Sequence, residues 1–171
     1  AGVVTALTDA TCETVLDLIN DRDKTEGLYP VGRLDRDTEG LLLLTDNGQL
    51  GYQLLIPDKK VSKVYEVTTK EPLETTDIAA FAAGIVFIGG EMCKPAQLEI
   101  VDAHRARLSL SEGKFHQVKK MFLSVGKKVI HLKRIAMGPL ELDESLPLGS
   151  YRFLTQQELQ LLKPYFTYKE G

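Results

Sequence analysis

The chain has 171 residues, of which 43% are hydrophobic and 26% charged, and a formal net charge of −3. That suffices for one domain, or two closely packed halves, and excludes a disordered or fibrous chain. No apolar run approaches the ~20 residues a membrane span needs and no basic-plus-apolar leader opens the sequence, so a soluble, cytoplasmic protein is expected.

Taken in chain order, Val15, Leu16, Leu18 and Ile19 predict a short helix over Thr11 to Asn20. Leu41 to Thr45 is an apolar run closed by Asp46-Asn47-Gly48, which reads as a buried strand before a turn. Gln49 to Ile56 predicts a short helix stopped by Pro57. Lys63 to Thr69 alternates with a period of two and predicts a strand, with Tyr65, Val67 and Thr69 on one side and Val64, Glu66 and Thr68 on the other. Thr76 to Ala83 is helical in pattern and ended by Gly84. Val86 to Ile88 leads into a Gly89-Gly90 turn. Two antiparallel strands follow, Gln97 to Val101 and Arg107 to Ser111, joined at Asp102-Ala103-His104.

The loop Glu112-Gly113-Lys114 then precedes a helix whose apolar stripe is Val118, Met121, Phe122 and Val125, with Gly126 placed to end it. Val129 to Leu132 predicts a further short strand. Thr155 and Glu158 have capping-box spacing ahead of a last helix. Strands outnumber helices and most connections are too short for parallel crossovers. The expected fold class is therefore α+β, with a mixed, largely antiparallel sheet and flanking helices.

Charge is unevenly distributed. Residues 113–134 carry seven basic side chains and no acidic one, whereas residues 1–112 carry 11 basic and 19 acidic. Segregation of this kind is the footprint of a phosphate-binding face. The plainer alternative is a solvated stretch balanced by acidic neighbours in the fold. Cys12 and Cys93 lie in no CxxC or Cys/His cluster, and His104, His116 and His131 have no metal-pair spacing, so no metal is expected.

The densest polar segment runs from Val31 to Asp46, with Asp35, Asp37 and Glu39 at spacing two. A calcium loop is one reading, but Pro30 and Gly32 spoil the entering helix and Leu41 to Leu44 demand burial. A two-metal nuclease would need more acids or histidines in register. The plain reading is a polar loop leading into a core strand. A further reading concerns Asp35 alone: a carboxylate at the mouth of a rigid sheet can act as nucleophile or base if a cation keeps it ionised, and Lys119 and Arg33 are candidate cations.

GRLDRDTEGLLLLTDNG, which contains Asp35, resembles the signature of the RNA pseudouridine synthases, in particular their ribosomal small-subunit (RsuA-like) family. Lys63-Val64-Tyr65 is similar to that family's lysine–x–tyrosine motif, and Leu108 to Met121 to its third motif, in the same order and spacing. The resemblance implies a pseudouridine synthase fold with a central catalytic cleft, and an isomerase that converts a uridine of small-subunit (16S) ribosomal RNA to pseudouridine without cofactor or metal. It makes Asp35 the catalytic aspartate, places Tyr65 against the target base, and puts Lys119 where the wider superfamily has an arginine paired with the aspartate. Arg33 is implied beside the pocket and Leu110 against the uracil ring, and Lys63, Lys114, His116, Gln117 and Lys120 complete the expected RNA-facing set. Whether the aspartate adds to C6, attacks C1′ or removes the C2′ proton stays open.

The expected partner is ribosomal RNA or an assembling ribosomal subunit, met by a monomer. Residues 1–171 read as one catalytic domain, without the small S4-type RNA-binding module and lysine–proline motif that the family has ahead of it. A large-subunit enzyme of the same family, or a non-catalytic RNA-binding protein on this fold, are the alternatives.

Overall fold

The structure is a computed structural model, and it describes residues 3–7, 29–31, 34, 38–46, 54, 61–87, 89–113 and 116–166. The expected helix over Thr11 to Asn20 lies outside them. So does most of the one over Gln49 to Ile56, of which Leu54 is described, helical and buried.

Among the described residues nine strands form a single sheet: β1 (Val3–Leu7), β2 (Tyr29–Pro30), β3 (Thr38–Thr45), β4 (Lys63–Thr69), β5 (Gln97–Ile100), β6 (Arg105–Leu110), β7 (Val129–Met137), β8 (Leu140–Glu141) and β9 (Tyr151–Phe153). Their order is β5-β6-β4-β7-β3-β1-β9, with β2 attached to β3 and β8 to β7. Among the described residues every pairing is antiparallel except β3 with β7. The sheet is thus mixed and largely antiparallel, as the sequence predicts.

Three helices described along most of their length flank it: α1 (Thr75–Ala83), α2 (Gln117–Ser124) and α3 (Gln156–Phe166). Two of them start where a side chain supplies a partner. At α1 the Glu74 backbone N–H donates to Asp77 Oδ2 at 2.9 Å. At α3 the Glu158 N–H donates to Thr155 Oγ1 (3.1 Å) while the Thr155 N–H donates to Glu158 Oε1 (2.8 Å), a reciprocal capping box. The β5–β6 turn is held by Asp102, whose Oδ1 accepts from the His104 and Arg105 N–H groups.

The apolar faces form two cores on either side of the β3–β7 junction. One packs Val67, Leu98, Ala106, Leu108 and Leu132 of the sheet against Phe81 of α1 and Val118, Met121 and Phe122 of α2. The Phe81 and Phe122 rings meet with centroids 4.9 Å apart. The other collects Leu41, Leu43, Met137, Leu140 and Leu162. Leu42 and Leu44 are buried as well, so β3 is covered on both faces, which is why its sequence is an unbroken apolar run.

One strand differs clearly from expectation. The sequence predicts Val129 to Leu132, but β7 continues to Met137 through Lys133 and Arg134. Charge reads as a strand end only when the side chain must reach water, and Arg134 is 1% exposed.

Candidate active site

The geometry is set by strand register. Tyr65 of β4 pairs with Leu108 of β6 on one side and Arg134 of β7 on the other, and Arg134 pairs in turn with Gly40 of β3. Gly40, Arg134, Tyr65 and Leu108 therefore form one cross-strand row spanning the junction of the two cores. A shift in register between Val64 and Tyr65 inserts Ile135 as an extra residue of β7 and brings Arg134 into line with the tyrosine. At about 4.8 Å per strand, Tyr65 stands roughly 10 Å from the backbone of Gly40.

Side chains two residues apart share a face of the sheet, so Lys63 and Tyr65 stand together on the face that packs against α1 and α2. Lys63 is flanked by Leu110 and Met137, both buried. Its ammonium reaches the loop after β6: a β-carbon on Gly113 would sit 3.2 Å from Lys63 Nζ. Burial, and then the neighbouring Arg134 charge, hold Lys63 below its ordinary value of 10.5. Tyr65 is half-buried and packs against the edge of the first core.

Arg134 is the most deeply buried charge in this group. Its Nε donates to the Leu41 carbonyl at 2.9 Å. Burial pushes its guanidinium below the ordinary arginine value, and the electrostatic interaction with the nearby Tyr65 phenol works the other way. Its Nη2 is buried with no hydrogen-bond partner among the described residues, as is Oγ1 of Thr38, the first residue of β3.

The loop 111–113 continues into α2. His116, at the cap position, has φ 50° and ψ 34°, the only positive φ at a non-glycine position among the described residues. A left-handed conformation costs about 1–2 kcal/mol in a residue with a β-carbon, and strain of this kind gathers where function over-determines the backbone. Gln117 is buried and its Nε2 donates to Glu112 Oε1 at 2.8 Å, while the same carboxylate oxygen accepts from the Lys94 N–H. Gln117 thus braces the loop. Lys119 follows, part-buried in the first turn. Lys120 is exposed, with its ammonium 5.6 Å above the Phe87 ring. The opposite face of the sheet is an open groove lined by Val64, Gln97, Arg107, Ile135 and Glu141, and carries none of these groups.

The family model described as RNA pseudouridylate synthase matches residues 1–124, the stretch that contains Asp35, Tyr65 and Lys119. The chain belongs to that family. Among related pseudouridine synthases it is 44% identical over 165 residues to "Uncharacterized RNA pseudouridine synthase YtzG" of Bacillus subtilis, covering 94% of this chain and 69% of that protein. It is 48% identical over 136 residues to "Ribosomal small subunit pseudouridine synthase A" of Haemophilus influenzae, covering 79% and 59%. A crystal structure of a pseudouridylate synthase superimposes with a TM-score of 0.87 at 39% identity, covering 94% of this chain and 73% of the other.

Of the synthase residues expected from sequence, the fold brings Lys63, Tyr65 and Leu110 onto one face beside the loop that leads to His116, Gln117 and Lys119. Lys120 points to Phe87 instead. Asp35, Arg33 and Lys114 lie outside the described residues. Their described neighbours are firmly anchored: Leu34 is buried, the Val31 N–H donates to the Leu43 carbonyl at 2.7 Å, and β3 begins at Thr38. The one member of the constellation that sequence reasoning missed is Arg134. In the sequence it belongs to a basic stretch, and no local pattern marks it as buried.

The positive window itself is not one solvent-facing stripe. Arg134 and Lys127 are buried, Lys127 Nζ lying 3.8 Å from Glu74 and 3.9 Å from Asp77. Lys133 pairs with Glu144 at 3.6 Å. The alternative of charge balanced by acidic neighbours thus accounts for part of this segment.

Proposed function

We propose that this synthase isomerises a uridine of small-subunit ribosomal RNA to pseudouridine, with Asp35 as its catalytic carboxylate. The reaction breaks the N1–C1′ bond, forms a C5–C1′ bond, releases the C5 proton and protonates N1, so atoms balance with no added reagent. It asks the protein for a carboxylate, a cation that keeps it charged, a flat platform and room for an unstacked base.

In this reading Lys119 keeps Asp35 ionised, and Tyr65 and Leu110 form the platform for the uracil. Lys63 and His116 approach the RNA beside it, together with Arg33 and Lys114. Gln117 serves by holding the loop and Lys120 lies at the margin. The protein acts as a cytoplasmic monomer on ribosomal RNA or an assembling subunit, its 171 residues forming the catalytic domain.

The observation that carries the reading is the family match over residues 1–124, which encloses all three motif residues, with relatives named for the small subunit at 40–48% identity. The test is tritium release from small-subunit ribosomal RNA labelled with 5-[³H]uridine. Asp35→Asn is expected to abolish release while leaving the melting temperature unchanged; a variant with normal turnover overturns the assignment.

A further inference from the structure

We infer that Arg134 is a positioning residue that fixes the orientation of the Tyr65 ring by bracing it against β3 across β7. The inference rests on the reading of Tyr65 as the base-facing platform and goes beyond it.

Register alone makes the brace possible. Arg134 is the residue of β7 directly opposite Tyr65, and the extra residue at Ile135 is what brings it there. On its other side Arg134 is paired with Gly40, so its backbone is held between the strand that carries the tyrosine and the strand that begins three residues after Asp35. The side chain follows the same path: Nε donates to the Leu41 carbonyl at 2.9 Å, and the guanidinium lies within electrostatic reach of the Tyr65 phenol on the neighbouring strand. A tyrosine ring beside a buried guanidinium loses a favourable charge interaction when it swings about its χ1, and such an interaction is stronger in a dry setting. A planar guanidinium reaches both acceptors at once, which an ammonium cannot do.

The residue is a poor choice for stability. An arginine is taken out of water with Nη2 left without a partner among the described residues, and apolar groups of similar volume often replace buried ions without penalty. A costly group in line with a substrate-facing ring is better explained by what it orients than by what it stabilises.

The experiment is a double-mutant cycle on tritium release from 5-[³H]uridine-labelled small-subunit RNA, using Arg134→Met, Tyr65→Phe and the pair. Arg134→Met is expected to keep the fold and to lower kcat at least tenfold while the KM for RNA changes less than threefold. Tyr65→Phe, which removes only the tethered hydroxyl, should lower kcat by a similar factor, and the double variant should be no worse than either single one. Losses that multiply in the double variant, or a normal kcat in Arg134→Met, overturn the inference.

If Arg134→Met does not fold, Arg134→Lys in protein labelled with 3-fluorotyrosine decides. The fluorine resonance assigned to Tyr65 moves if the guanidinium sets the ring, and an unmoved resonance overturns the inference. Tyr65→Ala separates the two levels: normal turnover there removes Tyr65 from the site altogether, whereas an inactive Tyr65→Ala with a normal Arg134→Met removes only the brace.

Discussion

Gly40 and Arg134 face each other at the parallel junction of β3 and β7, so closely that a β-carbon on Gly40 would overlap the Arg134 carbonyl and lie 2.5 Å from its nitrogen. The glycine also has φ +118°, a conformation that residues with a β-carbon avoid. Both obstacles are backbone, so neither can yield by a rotamer change. Gly40→Ala is expected to cost about 3 kcal/mol or more, from strain and overlap together. In a protein of this size that lowers Tm by on the order of 10 °C, readable by calorimetry. An unchanged Tm would mean that the two strands separate more readily than their register implies.

In the proposed site, Lys119 is the cation that keeps Asp35 ionised. Lys119→Ala should slow turnover at least tenfold and move the acid limb of the pH–rate profile to higher pH, because an unpaired carboxylate protonates more easily. Lys119→Arg should restore most of the rate. Coincident profiles for wild type and the alanine variant would remove Lys119 from that role.

Lys63 titrates in a place that disfavours its charge. Burial and the Arg134 charge lower its value from 10.5, so between the folded value and 10.5 the unfolded chain binds a proton that the folded chain does not. Stability from this group therefore rises with pH across that window, and the cost is present in full below it. Lys63→Met keeps the apolar stem and removes the charge. It should melt higher than wild type at pH 7, with the gap narrowing as pH approaches 10.5. A gap that stays constant with pH would show that the ammonium finds compensation in the folded state.

The C-terminal helix is anchored by charge. Arg152 of β9 donates through Nη1 to Glu158 Oε1 at 2.7 Å and through Nε to Asp143 Oδ2 at 3.0 Å, while Glu158 closes the capping box of α3. The Arg152 hydrogen bond, followed by the Thr155 backbone N–H, holds the Glu158 carboxyl below its usual 4.5 against the opposing effect of burial. Its contribution is thus present above pH 4.5 and lost as pH falls through the lowered value. Glu158→Gln should destabilise by about 1 kcal/mol near neutrality, a few degrees in Tm, and the difference from wild type should vanish in acid.

Much of this architecture can be read from local pattern. β4 alternates because one face is covered, α2 shows its stripe, and the box at Thr155 is spelled in two residues. What local pattern misses is set by distant partners. β7 runs past Leu132 because Tyr65 and Leu41 receive Arg134, and nothing near residue 134 announces them. β1 and β8 are short strands that borrow their regularity from β3 and β7, and β9 borrows its own from β1. The site divides in the same way: motif resemblance names Tyr65 and Lys119, whereas the guanidinium beside the tyrosine belongs to no motif and emerges from register alone.

The pairing of β3 with β7 joins segments more than ninety positions apart, the Leu41 carbonyl and the Arg134 side chain being separated by 93. A nascent polypeptide leaving the ribosome therefore carries its acidic signature long before the strand that must lie beside it has been synthesised. Closure of so long a loop is slow, and the leucine-rich β3 meanwhile presents an uncovered edge. Competence for catalysis thus arrives in a single late step, so a prematurely terminated product ending before residue 134 would be inert toward RNA and a ready client for chaperones.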